Sequence, residues 1–316
     1  MKLLFTCVGR RVELLQAYRN AANVLNTNLI IHGTDMSTTA PALRFCDVQH
    51  LVPRIDCDDY IPKLLEICNV AKIDALIPTI DTDLLLLSKN KSLFENRGTK
   101  VVIGTYDKIG ICRDKRLTAT FFESCGLAAP RTFDNLGEYN GGFPAFIKPK
   151  DGSSSINAFK VNDLKQMEIY SRIVDDYIIQ PFIDGEEYTV DIFCDFDGNP
   201  IFITPRIRKS VRAGEVLKTE IRNDDSIISD MMLLIDKFKP CGAITVQLIK
   251  QKNNGKNIYI EINPRYGGGA PLSIKAGADS AQSLLKLLMG EKELYHPTAA
   301  ENGAEFSRYD QSIRVN

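Results

Sequence analysis

No stretch of this 316-residue sequence approaches the roughly 18 apolar residues of a membrane span. The start, MKLLFTCVGRR, is also too short an apolar run for a secretory signal, so a cytoplasmic protein without a membrane partner is expected. An excess of one charge is missing as well. The 39 Lys and Arg face 40 Asp and Glu, which leaves no overall electrostatic case for a nucleic-acid partner. The 8 cysteines form no CxxC pair and have no histidine at zinc spacing. Scattered through apolar segments, they read as reduced, mostly buried thiols. Glycine-rich phosphate fingerprints are lacking too. GxxxxGK[ST] is absent, and Cys7-Val8-Gly9-Arg10-Arg11 offers one glycine where GxGxxG needs three.

What is present divides into two textures. Strand-like runs at Leu3 to Val8, Leu29 to His32, Ala75 to Pro78 and Val101 to Gly104 alternate with helical periodicity from Val12, Tyr60 and Asp83. This rhythm predicts a parallel sheet with helices on both faces, and ligands in such sheets bind beyond the carboxyl ends of the strands. Gly9 to Arg11, Asp35 with Ser37 to Thr39, and Thr79 with Asp81 fall at those ends. After a boundary near residue 112 comes a helix from Asp114 to Cys125, closed by Gly126. Longer strands follow, with hairpins at Asp197-Gly198 and Asn254-Gly255. Residues after His296 are polar and aperiodic, a loose tail or a final docking strand.

Three later segments carry chemistry. In the last hairpin, Glu261 and Asn263 are two apart on a strand and share a face, and a symmetric turn about Asn254 puts Gln247 opposite Glu261. One carboxylate and two amide oxygens suit magnesium that shares substrate phosphates, and Arg265 follows, placed for a phosphoryl oxygen or acyl phosphate. Lys148 lies in an apolar strand, where it needs an anion, and Gly152 with Ser153, Ser154 and Ser155 supplies N–H and hydroxyl donors for phosphates. The run from Gln180 through Phe182 and Ile183 to Glu187 offers backbone groups to a purine edge and a carboxylate to a ribose. Each segment alone also has a plainer reading: a surface hairpin, a serine-rich loop, and a strand with its turn.

Taken together in this order, the segments resemble the ATP-grasp family. Lys115, in RDKRLTATFFESCGLAAP, matches that family's first nucleotide-binding basic residue, and Lys148 matches the second. Gly152 to Ala158 match the lid loop, Gln180, Phe182 and Ile183 fall in the adenine hinge, and Glu187 matches the ribose carboxylate of the GxE motif. Gln247, Glu261 and Asn263 match the metal ligands, and Arg265 the arginine of ExNPR. The run Asn263-Pro264-Arg265-Tyr266-Gly267-Gly268-Gly269 is similar to the branch containing the carbamoyl-phosphate synthase large subunit and the pyrrolysine-pathway ligase. Two positions depart from the common pattern: the lid is poor in glycine, and Gln180 stands where glutamate is common.

The resemblance implies a Rossmann-like parallel-sheet domain over 1–112 and a two-lobed α+β ATP-grasp domain. Its lid lobe would be 113–183 and its metal-bearing lobe 184–295, with 296–316 as a tail. It also implies ATP with magnesium, or manganese, small carboxylate and amine substrates, and assembly as a homodimer. In the basic stretch from Arg206 to Arg222, it places Arg208 and Arg212 near the phosphate transfer zone; a solvated charged hairpin is the plainer alternative. The expected activity joins an acid, activated as an acyl phosphate, to an amine with release of ADP and phosphate. Two other readings remain at this stage. One is an ATP-binding protein without catalysis, and the other a nicotinamide-dependent oxidoreductase using Asp35 on a ribose, which the missing glycines disfavour.

Overall fold

Short aliphatic strands and amphipathic helices alternate through the first third because each strand must bury both faces of a parallel sheet. The computed structural model describes residues 1–152 and 156–315. The first part runs β1 (Lys2–Thr6), α1 (Val12–Val24), β2 (Ile30–Asp35), β3 (Val48–Leu51), α2 (Tyr60–Ala71), β4 (Ala75–Pro78), α3 (Leu84–Lys89), α4 (Lys91–Glu95) and β5 (Lys100–Val101). The strands form one sheet in the order β3-β2-β1-β4-β5, every pair parallel. Its parallel character and flanking helices are those expected from the sequence.

Three details differ from the sequence reading. β3 escapes a hydrophobic scan because it is an edge strand whose side chains are mostly exposed. The helix expected from Asp83 to Phe94 is broken at Asn90, whose side-chain amide donates to the Leu86 carbonyl. A further helix, α5 (Tyr106–Arg113), precedes α6 (Lys115–Ser124). Asp114 separates them and caps α6 by accepting from the Arg116 N–H at 2.9 Å.

A small antiparallel sheet follows, β7-β6-β8, from β6 (Ala145–Pro149), β7 (Phe159–Val161) and β8 (Tyr177–Pro181), with α7 (Leu164–Ser171) against it. The larger sheet has the order β13-β12-β9-β10-β11-β14. Its strands are β9 (Gly185–Cys194), β10 (Pro200–Arg212), β11 (Glu215–Ile221), β12 (Gly242–Gln251), β13 (Asn257–Asn263) and β14 (Glu305–Ser307). Helices α8 (Asp225–Phe238), α9 (Ala270–Lys275) and α10 (Ser280–Leu288) complete the chain. The tail thus supplies a docking strand, β14, paired with β11.

Helices α6 and α8 bury Phe122, Met231, Leu234 and Phe238 on one face of the large sheet. On the other face, α9 and α10 lie between it and α1 of the parallel-sheet part, so one apolar core joins both parts of the molecule. Within it Tyr18 and Tyr266 hydroxyls meet at 2.9 Å. The basic stretch from Arg206 to Arg222 is mostly the hairpin β10–β11, whose register shifts around Ser210, and its first arginine faces inward. Arg206 is 2% exposed and donates to Asp191 at 2.7 Å. Asp191 also accepts from Ser273 and Thr245, so four chain segments meet on one carboxylate. Asp191→Ala would leave the guanidinium buried without counter-charge. It should lower stability by about 3–5 kcal/mol in urea unfolding, whereas replacing both partners with methionine and leucine should cost much less.

Candidate active site

The hairpin β12–β13 has the register that its turn implies at the chemically relevant positions. Gln247 stands opposite Glu261 and Thr245 opposite Asn263. A bulge after Gln247 then shifts the pairing by one residue toward the turn, so the symmetric register fails from Leu248 onward. Asn263 donates its side-chain amide to Glu261 Oε1 at 3.0 Å, holding the two groups together on one face. Arg265 reaches from the end of β13 to Asp81, on the loop after β4 of the parallel sheet. Both are nearly buried, with side-chain exposures of 11% and 9%.

Lys115 and Lys148 converge on the same carboxylate. Lys148 is half-buried on β6, and its ammonium is pushed down to about 8 by desolvation, then by Lys115, with Glu261 acting in the opposite direction. Lys115 opens α6 and is likewise lowered by desolvation, against the raising influence of Glu261 and Asp151. Its Nζ donates to the Gly152 carbonyl at 3.1 Å. A small cavity lies here, lined by Asp81, Arg113, Lys115, Gly152, Glu261 and Asn263 among others. Ser153, Ser154 and Ser155 lie outside the described residues.

The expected hinge follows β8. Gln180 is buried, and its amide donates to Thr132, so its side chain serves the scaffold. The Phe182 N–H is taken by the Pro144 carbonyl at 3.0 Å, while the Ile183 backbone bonds to no other described residue. Phe182 is stacked on Phe146, and the Lys160 ammonium lies 3.7 Å from its ring centroid. At Gly185 a Cβ would fall 2.2 Å from the Lys250 carbonyl, so the strand carrying Glu187 approaches β12 closely only with glycine there. Arg208 joins Glu187, 3.6 Å away, to Gln247, which accepts at 2.7 Å. Arg212 is different. It is exposed, paired with Asp310 of the tail, and tied to none of these groups.

Among the described residues no group of three or more His, Cys, Asp or Glu can hold a metal. One carboxylate beside two amides is too little charge for an all-protein cage but fits magnesium arriving on phosphates. Asp35, meanwhile, accepts from the backbone N–H groups of Gly9 and Ser37 and ties two loops together.

Sequence reading marked Asp81 only as lying at a strand end, and it gave no sign of Arg113 or Lys160. Asp81 and Arg265 are 184 positions apart, with no local pattern to connect them.

Residues 3–102 match the family model described as the PylC-like N-terminal domain, and residues 174–311 match that described as ATP-grasp in the biosynthetic pathway with Ter operon. The chain thus carries a PylC-like N-terminal domain and, further on, a region matching an ATP-grasp family model. Among solved structures, pyruvate carboxylase of Rhizobium etli is 14% identical with a TM-score of 0.77 over 96% of this chain, which spans 30% of that one. The L-amino acid ligase of Bacillus licheniformis is 17% identical, with a TM-score of 0.72 over 92% of this chain and 75% of that one. The N5-carboxyaminoimidazole synthetase of Staphylococcus aureus complexed with ADP is 14% identical, with a TM-score of 0.74 over 93% of this chain and 78% of that one. No curated protein matches the sequence. Among the described residues no helix is long and apolar enough to cross a membrane.

Gly185→Ala should lower stability by about 1–3 kcal/mol through overpacking at β9–β12 and speed hydrogen exchange at Glu187 and Tyr188. Unchanged melting and exchange would show that the strands part without cost.

Proposed function

We propose that the protein is an ADP-forming carboxylate–amine ligase whose phosphate-transfer site is the Lys115, Lys148, Glu261 and Arg265 cluster. The observation that carries this reading is two desolvated ammonium groups that both feel the charge of one carboxylate, Glu261, on the strand leading to a nearly buried arginine. Such a site has more positive charge than its own side chains neutralise, and a nucleotide's phosphates supply the remainder. The fold neighbours support it, since one is titled an amino acid ligase and another a complex with ADP.

Lys115 and Lys148 hold phosphate oxygens, with Gly152 and Ser153 to Ser155 as further phosphate donors. The Ile183 backbone, unbonded among the described residues, faces the adenine edge, Phe182 packs beneath it, and Glu187 accepts from the ribose. Gln180 acts from behind the hinge through Thr132. Glu261 and Asn263 would hold magnesium, or manganese in its place, joined by Gln247 once its Oε1 leaves Arg208, and the metal would neutralise charge on the phosphates. The substrate carboxylate attacks the γ-phosphorus and the bond to ADP breaks. Arg265 and Arg208 steady the transferred group while an amine attacks the acyl carbon, phosphate departs and the nitrogen loses its proton. No side-chain nucleophile is required, because phosphoryl transfer rests on positioning and charge neutralisation. Arg212 stays in this reading only as a residue at the mouth of the cleft, brought in if the tail moves. The lobe limits given above and a homodimer belong to the same proposal; a neighbouring carboxylase domain from Hydrogenobacter thermophilus is titled a dimer.

Hydroxylamine added with ATP, magnesium and pooled small acids should yield hydroxamate and ADP. Arg265→Ala should lower that rate roughly 10²–10³-fold, and Glu261→Ala should abolish it with the fold retained. Tight ATP binding with no product from any acid would favour the non-catalytic reading.

Lys148 gives a second check. An anion favours its protonated form, so ADP affinity should hold below pH 8 and fall as pH rises through that value, by up to about tenfold per unit. Lys148→Met should flatten the profile in calorimetry. The same slope in both proteins would remove Lys148 from the phosphate site.

A further inference from the structure

A second group of arginines stands on the parallel-sheet side of the glycine run. Arg11 precedes α1, at the carboxyl end of β1, and is half-buried. Among the described residues its guanidinium donates one hydrogen bond, from Nη2 to the Thr79 carbonyl at 3.0 Å. The charged groups that act on it are Arg265, Glu215, Asp81 and Arg308. Both carboxylates are already engaged. Asp81 is paired with Arg265, and Glu215 with Arg308 at 3.3 Å and Arg10 at 3.8 Å. Among the described residues Arg11 itself has no carboxylate at ion-pair distance.

The glycine run closes on this guanidinium from the opposite side. A Cβ on Gly268 would lie 3.2 Å from Arg11 Nη1, so a side chain there would cover the donors that Thr79 leaves unused. Arg265 contributes a further donor, since its Nε is buried without a hydrogen-bond partner among the described residues. Helix α1 begins directly after Arg11 with no side-chain cap. The Arg11 guanidinium, with spare donors, drawn partly out of water and without a carboxylate of its own, makes a planar, two-pronged recognition site for an oxyanion, with Arg265 beside it.

We propose that the substrates of this enzyme carry an anionic group, a carboxylate or a phosphate, besides the carboxylate that is activated, and that Arg11 binds it against Gly268. This rests on the ligase reading, since it names the substrate class of that site. An amino-acid acceptor would bring the group as its own carboxylate, a dicarboxylic donor as its second acid, and a phosphorylated substrate as its ester.

The test is calorimetry on the full chain, first with MgADP and then, with MgADP saturating, with three kinds of probe. These are the proteinogenic amino acids, the dicarboxylates from malonate to adipate, and O-phosphoserine, each beside its methyl ester or dephosphorylated counterpart. At least one anionic probe should bind, and its neutral counterpart should bind at least about tenfold more weakly. Arg11→Gln should weaken the anionic probe by about ten- to a hundredfold and Arg11→Lys should recover part of that, with MgADP affinity unchanged in both. Preference for carboxylates or for phosphoserine identifies which anion the site takes. If the protein binds MgADP but no anionic probe, or if Arg11→Gln binds the probe equally well, the assignment is overturned. Failure to bind MgADP at all would instead strike the ligase reading on which it rests.

Discussion

Two ammonium groups and one carboxylate share a site that is partly closed to water, and the charge does not balance. Desolvation favours neutral lysines, and together with the charge of Lys115 it brings Lys148 down to about 8. Glu261 opposes that for both lysines and bonds to Asn263 besides. The surrounding structure maintains this imbalance. β6 carries Lys148 on one sheet, β13 carries Glu261 on another, and the start of α6 sets Lys115 between them. A site arranged in this way gains most from a polyanion with its own cation, because the ligand then brings both the missing negative charge and the metal's remaining ligands.

Holding three sheets around such a site requires rigid supports beneath it. Asp191 accepts from Arg206, Ser273 and Thr245, and Thr245 in turn accepts from the Gly267 N–H at 3.1 Å. At Gly269 a Cβ would fall 2.4 Å from Arg206 Nη2. The glycine run therefore lies flat on a buried ion pair, which fixes where β13 ends and where Arg265 projects. An apolar core of equal volume could give comparable stability. The polar one also fixes the position of a backbone that has no side chains of its own to pack.

Much of this was legible from residue spacing. The carboxylate and amide face of the hairpin follows from strand alternation, and the turn at Asn254 gives Gln247 opposite Glu261. What spacing could not show is of two kinds. The first is anything set by a bulge or an edge: the register beyond Gln247, and β3, whose exposed residues carry no hydrophobic signal. The second is the sorting of like residues by fold. Arg206, Arg208 and Arg212 lie within seven positions on one strand, and a sequence treats them as a single basic patch. The structure makes one a buried support, one a link between Glu187 and Gln247, and one a partner of the tail.

The Arg265–Asp81 pair is where the two parts of the chain depend on each other. Asp81 belongs to the loop at the carboxyl end of the parallel sheet, and Arg265 follows the hairpin that carries Gln247, Glu261 and Asn263. A nearly buried pair contributes little net stability, because desolvation offsets the Coulomb attraction, but breaking it strands a charge. Its consequence is therefore geometric. An arginine free to swing would find other oxygens, including those of Asn263, from which its Nη2 is already only 3.4 Å. Tethered to the parallel sheet, it also donates from Nη1 to the Tyr266 carbonyl at 3.2 Å, at the start of the glycine run. The contact between the two parts therefore fixes where this guanidinium stands, and under the ligase proposal that contact sets the alignment of the reacting groups.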